Sequence, residues 1–135
     1  MSTYWPNAII SIVNRNESVT TDANVKKVFQ TAKTIWKQTD GYFDPTVGAL
    51  VNAYGFGPTK SLEQIDHAVI DSLLNLTGLD KVSLLPDGTI NKAHKNIYLD
   101  LNAIAKGYAV DALASMLQSL GYDQFLVSLC CYGWI

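Results

Sequence analysis

The chain has 135 residues, of which 48% are hydrophobic and 16% are charged, and its formal net charge is −2. This length suits one domain, the hydrophobic content excludes a disordered chain, and the lack of a basic stripe argues against a dedicated nucleic-acid-binding protein. No apolar run approaches the roughly 20 residues of a membrane span, and the first residues lack the basic-then-apolar order of a signal peptide. The two cysteines, Cys130 and Cys131, cannot build a zinc or disulfide framework.

The first third of the chain predicts a strand followed by a long helix. The run from Ala8 to Val13 is continuously apolar and β-branched, which is typical of a buried strand. Apolar residues then recur at helical spacing from Val25 to Trp36. Thr21 or Asp22 supplies the N-cap of this helix, and Gly41 stands where a left-handed residue would end it.

The middle of the chain predicts a structured loop, a helix and a hairpin. Residues 40–58 hold four glycines, two prolines and four aromatic residues, a composition too apolar for a solvated linker. Ser61 to Gln64 matches a capping box, which predicts a helix ending near Leu74. Pro86-Asp87-Gly88 predicts a hairpin turn, because Pro presets φ and Gly accepts a positive φ. The strands joined by this turn are Val82–Leu85 and Thr89–Asn91.

The last third predicts a strand, a helix and a final strand. Ile97–Leu101 is the first strand, and it runs into residues 102–107 and then a helix that ends at Leu120, before Gly121. Phe125–Leu129 is the final strand. The predicted inner stripe of the helix is Val110, Leu113, Ala114, Leu117 and Leu120. This order of elements predicts the α+β class, with a mixed sheet and packed helices.

Aromatic residues beside an acidic residue form the first candidate site. Tyr42 and Phe43 could stack on a planar heterocycle while Asp44 accepts hydrogen bonds from it. The alternative is structural: Phe43 packs into the core and Asp44 caps the turn that follows. Tyr4 and Trp5 offer a further aromatic pair, for which ligand stacking and packing across a strand edge are both open.

The second candidate site is the junction between the Ile97–Leu101 strand and the next helix. The first turn of a helix points free N–H groups and partial positive charge outward, which suits an anion. Lys106 adds a full charge and Gly107 permits close approach of a ligand, so that together with Asp100 the junction could hold a phosphate and its Mg²⁺. An ordinary strand-to-helix junction with a solvated lysine is the alternative.

At these residues the sequence resembles the ApbE-type flavin transferases, the FAD:protein FMN transferases long labelled thiamine biosynthesis lipoproteins. The resemblance extends from about Thr3 to Val127 and lies in blocks that follow the family's order. The blocks are Ser2–Tyr4 with Ile10, Ser11 and Asn14, then Thr39–Gly48, Tyr54–Gly57 and Leu99–Asp111. It implies an ApbE-like (T-fold-like) fold and an Mg²⁺-dependent enzyme that transfers FMN from FAD to a threonine hydroxyl of an acceptor flavoprotein, releasing AMP.

The resemblance also implies roles for individual residues. Tyr4 would stack on the isoalloxazine ring, and Lys106 would contact FAD near its phosphates. Ala103 would give a backbone carbonyl to the Mg²⁺ ion. The remaining FAD contacts implied by the family are Tyr42, Phe43, Asp44 and Asp100.

The chain departs from the family after Val127. Residues 128–135 do not match the family's continuation, which carries the acidic and threonine side chains that complete the metal site. The resemblance therefore implies a partial FAD-binding domain over residues 1–127, truncated at both ends, and an aberrant tail over residues 128–135. It leaves open a catalytically incomplete FAD- or ADP-binding fragment and a partly folded piece. The family is typically periplasmic or anchored to the inner membrane by lipidation.

Overall fold

The computed structural model of the chain describes residues 1–129, and these residues form an α+β structure. The described helices are α1 (Ile9–Asn14), α2 (Ala23–Gln38), α3 (Gly48–Ala53), α4 (His67–Leu74) and α5 (Asn102–Ser119). A 3₁₀ turn at Leu79–Lys81 leads into strands β1 (Val82–Leu84) and β2 (Ile90–Lys92). The α+β class is confirmed, and the regular sheet of the described part consists of β1 and β2.

Helix α2 forms as its apolar spacing predicts. The Asp22 carboxylate accepts a hydrogen bond from the Val25 N–H at 2.7 Å, so Asp22 rather than Thr21 is the cap. After the C-cap Thr39, the helix end is closed by Asp40, whose φ is +47° and whose N–H donates to the Lys37 carbonyl at 3.4 Å. Gly41 follows with a φ of +83°, and its N–H donates to the Trp36 carbonyl at 2.9 Å. The sequence therefore predicts the place of the helix end, but the first left-handed residue is Asp40 rather than Gly41.

The predicted hairpin is also confirmed. Strands β1 and β2 pair antiparallel with Leu84 opposite Ile90. The Leu85 N–H donates to the Thr89 carbonyl at 2.8 Å, and Gly88 takes a φ of +86° in the turn between them. The positive φ favours glycine here, whereas the nearest atom to an added Cβ, Lys26 Nζ at 2.8 Å, ends a flexible side chain that can move.

The strand predicted from Ala8 to Val13 is wrong, because this run forms helix α1. Ile12 N–H donates to the Ala8 carbonyl at 3.0 Å, and Arg15 N–H donates to the Ser11 carbonyl at 3.1 Å. A six-residue apolar run fits a buried strand and one buried turn of helix equally well by periodicity. The third buried residue besides Ile10 and Val13 is Ser11, whose hydroxyl donates to the backbone of the N-terminal segment.

Two further boundaries differ from the predictions in the middle of the chain. Helix α3 lies inside the predicted loop of residues 40–58. Helix α4 begins at His67 rather than near Ser61, because the Asp66 carboxylate accepts the Val69 N–H at 2.9 Å and thus caps it. The predicted capping box competes with an aspartate that caps a helix equally well and lies nearer to the apolar run.

The predicted strand Ile97–Leu101, called the connecting segment below, is not a sheet strand. Among the described residues, its strand-like pairing consists of one isolated parallel bridge, between Tyr98 and Val47. Burial nevertheless alternates as in a strand, since Ile97, Leu99 and Leu101 are at most 1% exposed and the residues between them are half-buried. The apolar pattern therefore identified the buried face of the segment correctly and its pairing incorrectly.

Helix α5 begins at Asn102, so the predicted junction of residues 102–107 is already helical. Its predicted inner stripe is confirmed only in part: Val110, Ala114 and Leu117 are half-buried, whereas Leu113 and Leu120, which follows the helix, are exposed by 41% and 65%. None of the residues of α5 is fully buried. The residues of α5 that pack against the core are Ile104 and Tyr108, near its beginning. The predicted strand Phe125–Leu129 is irregular in the structure.

The core lies between α1, α2, the hairpin and the connecting segment. Its buried members are Ile10, Val13, Val25, Val28, Phe29, Ala32, Leu79, Val82, Ile97, Leu99 and Leu101. Among residues 1–129 no helix is both long and apolar enough to span a membrane. The domain boundary after residue 127 remains a prediction, and Cys130 and Cys131 of the proposed tail lie outside the described residues.

Candidate functional site

Five of the predicted site residues line one open cavity of about 300 Å³. They come from two distant parts of the chain: the loop after α2 and the start of α5. The five are Tyr42, Phe43, Asp44, Asp100 and Ala103, and the other lining residues are Pro45, Val47, Val51 and Asn102. This cavity is called the aspartate cavity below, after Asp44 and Asp100.

Asp44 is held by three hydrogen-bond donors of its own chain. Its Oδ1 accepts the Thr46 N–H at 2.8 Å and the Thr46 hydroxyl at 2.5 Å, and its Oδ2 accepts the Trp36 indole N–H at 3.2 Å. Thr46 is fully buried, and its hydroxyl oxygen accepts the Gly78 N–H at 2.7 Å. The structural role considered for Asp44 as a turn cap is therefore present. The same bonds fix the carboxylate at the cavity.

The aromatic neighbours of Asp44 differ from each other in exposure. Phe43 is partly buried and packs against the core, as the structural alternative predicts. Tyr42 is 97% exposed, so its ring is available to a ligand at the mouth of the cavity. Both rings border the aspartate cavity. An apolar wall and a polar acceptor in one cavity are the features expected of a small-molecule site.

Asp100 is fixed on the opposite side of the same cavity. Its backbone N–H donates to the Pro45 carbonyl at 2.7 Å, which joins the two distant parts of the site directly. Its Oδ1 accepts the Asn102 N–H at 2.8 Å. Asp100, which precedes the N-cap residue Leu101, thus binds the first N–H of α5, and this uses one of the N–H groups that the sequence offered to an anion.

Ala103 and Lys106 both belong to the beginning of α5. Ala103 lines the aspartate cavity and also a groove of about 550 Å³ between α2 and α5. Lys106 is exposed one helical turn further along. A Cβ on Gly107 would meet no atom within 4 Å, so the backbone beside Lys106 is open to a ligand.

Tyr4 lies in a neighbouring hollow of about 330 Å³ rather than in the aspartate cavity. Its hydroxyl donates to the Phe56 carbonyl at 2.8 Å, and its side chain is 60% exposed. Tyr98 lines this hollow, called the tyrosine hollow below. Tyr98 and Asp100 are two residues apart with the buried Leu99 between them, so one face of the connecting segment borders both spaces.

Tyr98 is a residue of the site that the sequence did not single out. A Cβ on Gly48 would lie 2.6 Å from its ring and 2.7 Å from its carbonyl oxygen, so Gly48 leaves the space that the tyrosine fills. Burial raises the pKa of the Tyr98 phenol, and the side chains of Asn52 and Asn14 partly oppose this rise. The tyrosine alternates with buried leucine and isoleucine, and that pattern could have marked it as facing away from the core.

The oxygen donors of the aspartate cavity are of the kind that Mg²⁺ prefers. Ala103 and Asp100 both line the cavity, and a backbone carbonyl and a carboxylate are both hard ligands. Within residues 1–129 no group of three His, Cys, Asp or Glu side chains is placed to hold a metal ion. The described side chains therefore do not form a metal site by themselves.

Comparison with known proteins places the chain in a family. The sequence profile of the ApbE family matches residues 1–131. The FAD:protein FMN transferase of Haemophilus influenzae is 36% identical over 137 aligned residues, covering 96% of this chain and 40% of that protein. The Escherichia coli K12 protein of the same name is 31% identical, covering 96% of this chain and 39% of its own length. The chain thus spans about two-fifths of the length of these relatives.

Solved structures agree with this placement. The flavin transferase ApbE from Vibrio cholerae superposes with a TM-score of 0.82 at 32% identity, covering 90% of this chain and 40% of that one. The apo form of the flavinyl transferase ApbE from Pseudomonas stutzeri gives a TM-score of 0.79 at 29% identity, covering 90% of this chain and 39% of that one. The predicted ApbE-like fold is thereby confirmed, and the chain belongs to the ApbE family.

Proposed function

We propose that this chain binds FAD as part of an FAD:protein FMN transferase. The observation that carries the proposal is the aspartate cavity, in which residues about 60 positions apart meet through the bond from Asp100 N–H to the Pro45 carbonyl. The relatives named FAD:protein FMN transferase cover nearly all of this chain. Their name supports FAD as the ligand, and the cavity offers the aromatic and polar surfaces that such a ligand needs.

The residues would divide the work of binding. Tyr4 would stack on the isoalloxazine ring, an arrangement that favours planar ligands. Phe43 and Tyr42 would cover apolar parts of FAD and exclude water, while Asp44 and Asp100 would accept its hydrogen bonds. Lys106 would attract the pyrophosphate by its charge. Because Asp44 and Asp100 are already held by their own chain, little side-chain entropy remains to be lost on binding.

The reaction proposed for the whole enzyme is a phosphoryl-type transfer to a threonine of an acceptor flavoprotein. The threonine oxygen forms a bond to the FMN phosphorus, and the bond from that phosphorus to the bridging oxygen breaks. AMP leaves with the bridging oxygen, and the hydroxyl proton passes to the departing phosphate or to water. Mg²⁺, held in part by the Ala103 carbonyl, would neutralise charge on the pyrophosphate. The chain's own contribution is to hold FAD so that the reacting phosphorus stays fixed.

A second candidate function is binding of FAD or ADP without transfer. It is supported by the observation that residues 1–129 contain no cluster of three His, Cys, Asp or Glu side chains placed to hold a metal ion. Full activity would then need ligands that the described part does not provide. Both functions use the same cavity, and they differ only in whether covalent flavin forms.

One experiment separates these functions. The protein is incubated with FAD, Mg²⁺ and a threonine-bearing acceptor, and covalent flavin is followed as a fluorescent band in a denaturing gel, with a threonine-to-valine acceptor as the control. A band that needs both Mg²⁺ and the threonine supports transfer. Quenching of FAD fluorescence without such a band supports binding alone, and the absence of both contradicts the proposed function.

A further inference from the structure

The connecting segment contributes residues to both the tyrosine hollow and the aspartate cavity. Within the described residues it does not pair as a regular strand on either side. Tyr98 borders the tyrosine hollow and Asp100 borders the aspartate cavity. On the side of the loop after α2, the segment is held by the Asp100 N–H to Pro45 carbonyl bond and by the bridge to Val47. What holds its other side determines where Tyr98 and Asp100 stand relative to each other.

On the other side, the middle of the segment is held by an amide side chain. Asn14, the last residue of α1, donates from Nδ2 to the Leu99 carbonyl at 2.9 Å and accepts the Leu99 N–H on Oδ1 at 2.8 Å. This is the two-bond exchange that a paired strand residue makes through its backbone. Leu99 is fully buried, so its peptide groups have no solvent to replace these bonds.

A lysine reinforces the arrangement. Lys92, on β2, donates from Nζ to the Ile97 carbonyl at 3.0 Å and to the Asn14 carbonyl at 3.5 Å. Burial lowers the pKa of Lys92. The end of α1, the hairpin and the connecting segment therefore meet at the Asn14 amide and its carbonyl.

We propose that Asn14 is a positioning residue for FAD binding, which fixes the Leu99 backbone so that Tyr98 and Asp100 face one bound ligand. This inference rests on the proposed function. Asn14 lines the tyrosine hollow, and its two amide bonds act on the backbone between the two ligand-facing residues. Loss of either bond frees a buried peptide group of Leu99, and the segment then shifts to satisfy it.

The test compares FAD affinity of the chain and its variants by flavin fluorescence titration. Asn14→Leu keeps the size and removes both bonds, and we expect FAD affinity to fall about tenfold. Asn14→Asp keeps the acceptor and loses the donor, so we expect a smaller loss. The control is Asn24→Leu, which removes the bond from the Tyr108 hydroxyl (2.7 Å) on the α2–α5 side and should change affinity less than about twofold.

A double substitution separates positioning from general destabilisation. If Asn14 acts through Asp100, then Asn14→Leu added to Asp100→Asn lowers FAD affinity by less than about threefold beyond Asp100→Asn alone. Full additivity, or equal losses for Asn14→Leu and Asn24→Leu, overturns the inference. Should Asn14→Leu fail to fold, the Asn14→Asp variant in the same cycle decides. Failure of the unsubstituted chain to bind FAD overturns the proposed function itself, and the role of Asn14 falls with it.

Discussion

Asp44 shows how one residue serves both folding and ligand binding. The sequence left two interpretations, a turn cap and a ligand acceptor, and the structure contains the cap in full detail. Its place at the aspartate cavity does not conflict with this, because a carboxylate has lone pairs beyond those used by three donors. The contact with Thr46 belongs to the predicted turn cap, whereas the contact with Trp36 was not predicted, since it depends on how α2 ends.

The buried Thr46 hydroxyl gives a test of this network. Thr46→Val keeps the shape and leaves the Gly78 N–H without its acceptor at 2.7 Å, so we expect the free energy of unfolding to fall by about 2 kcal/mol. Thr46→Ser retains the hydroxyl and should keep most of that stability. Urea denaturation measures both variants, and equal stability of the valine variant and the parent would show that the network is dispensable.

Tyr98 predicts a pH dependence of stability at alkaline pH. Its pKa is raised in the folded state, so the unfolded chain loses the phenol proton first, at a pH of about 10. The free energy of unfolding should therefore fall as the pH rises past that value, while at lower pH both states keep the proton and no such dependence arises. Tyr98→Phe should show a weaker decline in a pH series of urea melts; identical slopes for both proteins would exclude this contribution of Tyr98.

At the scale of elements, local signals predicted the pieces whose stability is local. Helix α2 has a cap, an apolar stripe and a left-handed end residue, and the hairpin has its turn residues, so both formed where predicted. The apolar run that forms α1 and the connecting segment lack such local signals. The backbone of the connecting segment is held by residues far away in the sequence, such as Asn14 and Val47. The predicted stripe on α5 is only half-buried at Val110, Ala114 and Leu117, because hydrophobic spacing does not reveal how much of a helix its neighbours cover.

Substitution by alanine should have opposite effects on stability at two glycines that lie near the site, Gly48 and Gly107. A Cβ on Gly48, at the start of α3, would lie 2.7 Å from the backbone oxygen of Tyr98, so Gly48→Ala should destabilise the protein by about 1–3 kcal/mol. A Cβ on Gly107, within α5, meets nothing, so Gly107→Ala should stabilise it by about 0.5–1 kcal/mol. Thermal or urea melts measure both, and two changes of equal sign would contradict the packing described at Gly48.

The positive charge of Lys106, near the beginning of α5, predicts that FAD affinity depends on salt concentration. Lys106→Glu should weaken FAD binding by repelling the pyrophosphate, and most strongly at low salt. Lys95→Glu makes the same change in net charge near the hairpin, on a groove that shares no residue with the aspartate cavity, and serves as the control. Fluorescence titrations at two salt concentrations give the comparison, and equal dissociation constants for both variants would remove Lys106 from the site.

For the molecule as a whole, the ordered motifs predicted the family and most residues of the aspartate cavity. The periodicity of apolar residues predicted the secondary structure less well. Tyr42, Phe43, Asp44, Asp100 and Ala103 come together, whereas Tyr4 lies in the adjoining tyrosine hollow. Composition and periodicity alone left both candidate segments open. The long-range contacts that join them, above all Asp100 to Pro45, follow from the packing of the complete core.

Several large apolar side chains near the end of the described chain are exposed to solvent. Met116 and Leu120 on α5, and Leu126 after it, are exposed by half or more, in a chain that spans about two-fifths of its relatives. An exposed apolar surface of this kind commonly marks an interaction surface. If this surface binds a second copy of the chain, the oligomeric state in solution should depend on protein concentration.

The most direct test of the central claim is the dissociation constant of FAD for the chain and for two variants, Tyr4→Ala and Asp44→Ala. These substitutions act in the tyrosine hollow and in the aspartate cavity, respectively. If one FAD molecule occupies both spaces, each variant binds about tenfold or more weakly than the parent. Unchanged affinity in both variants would contradict the account.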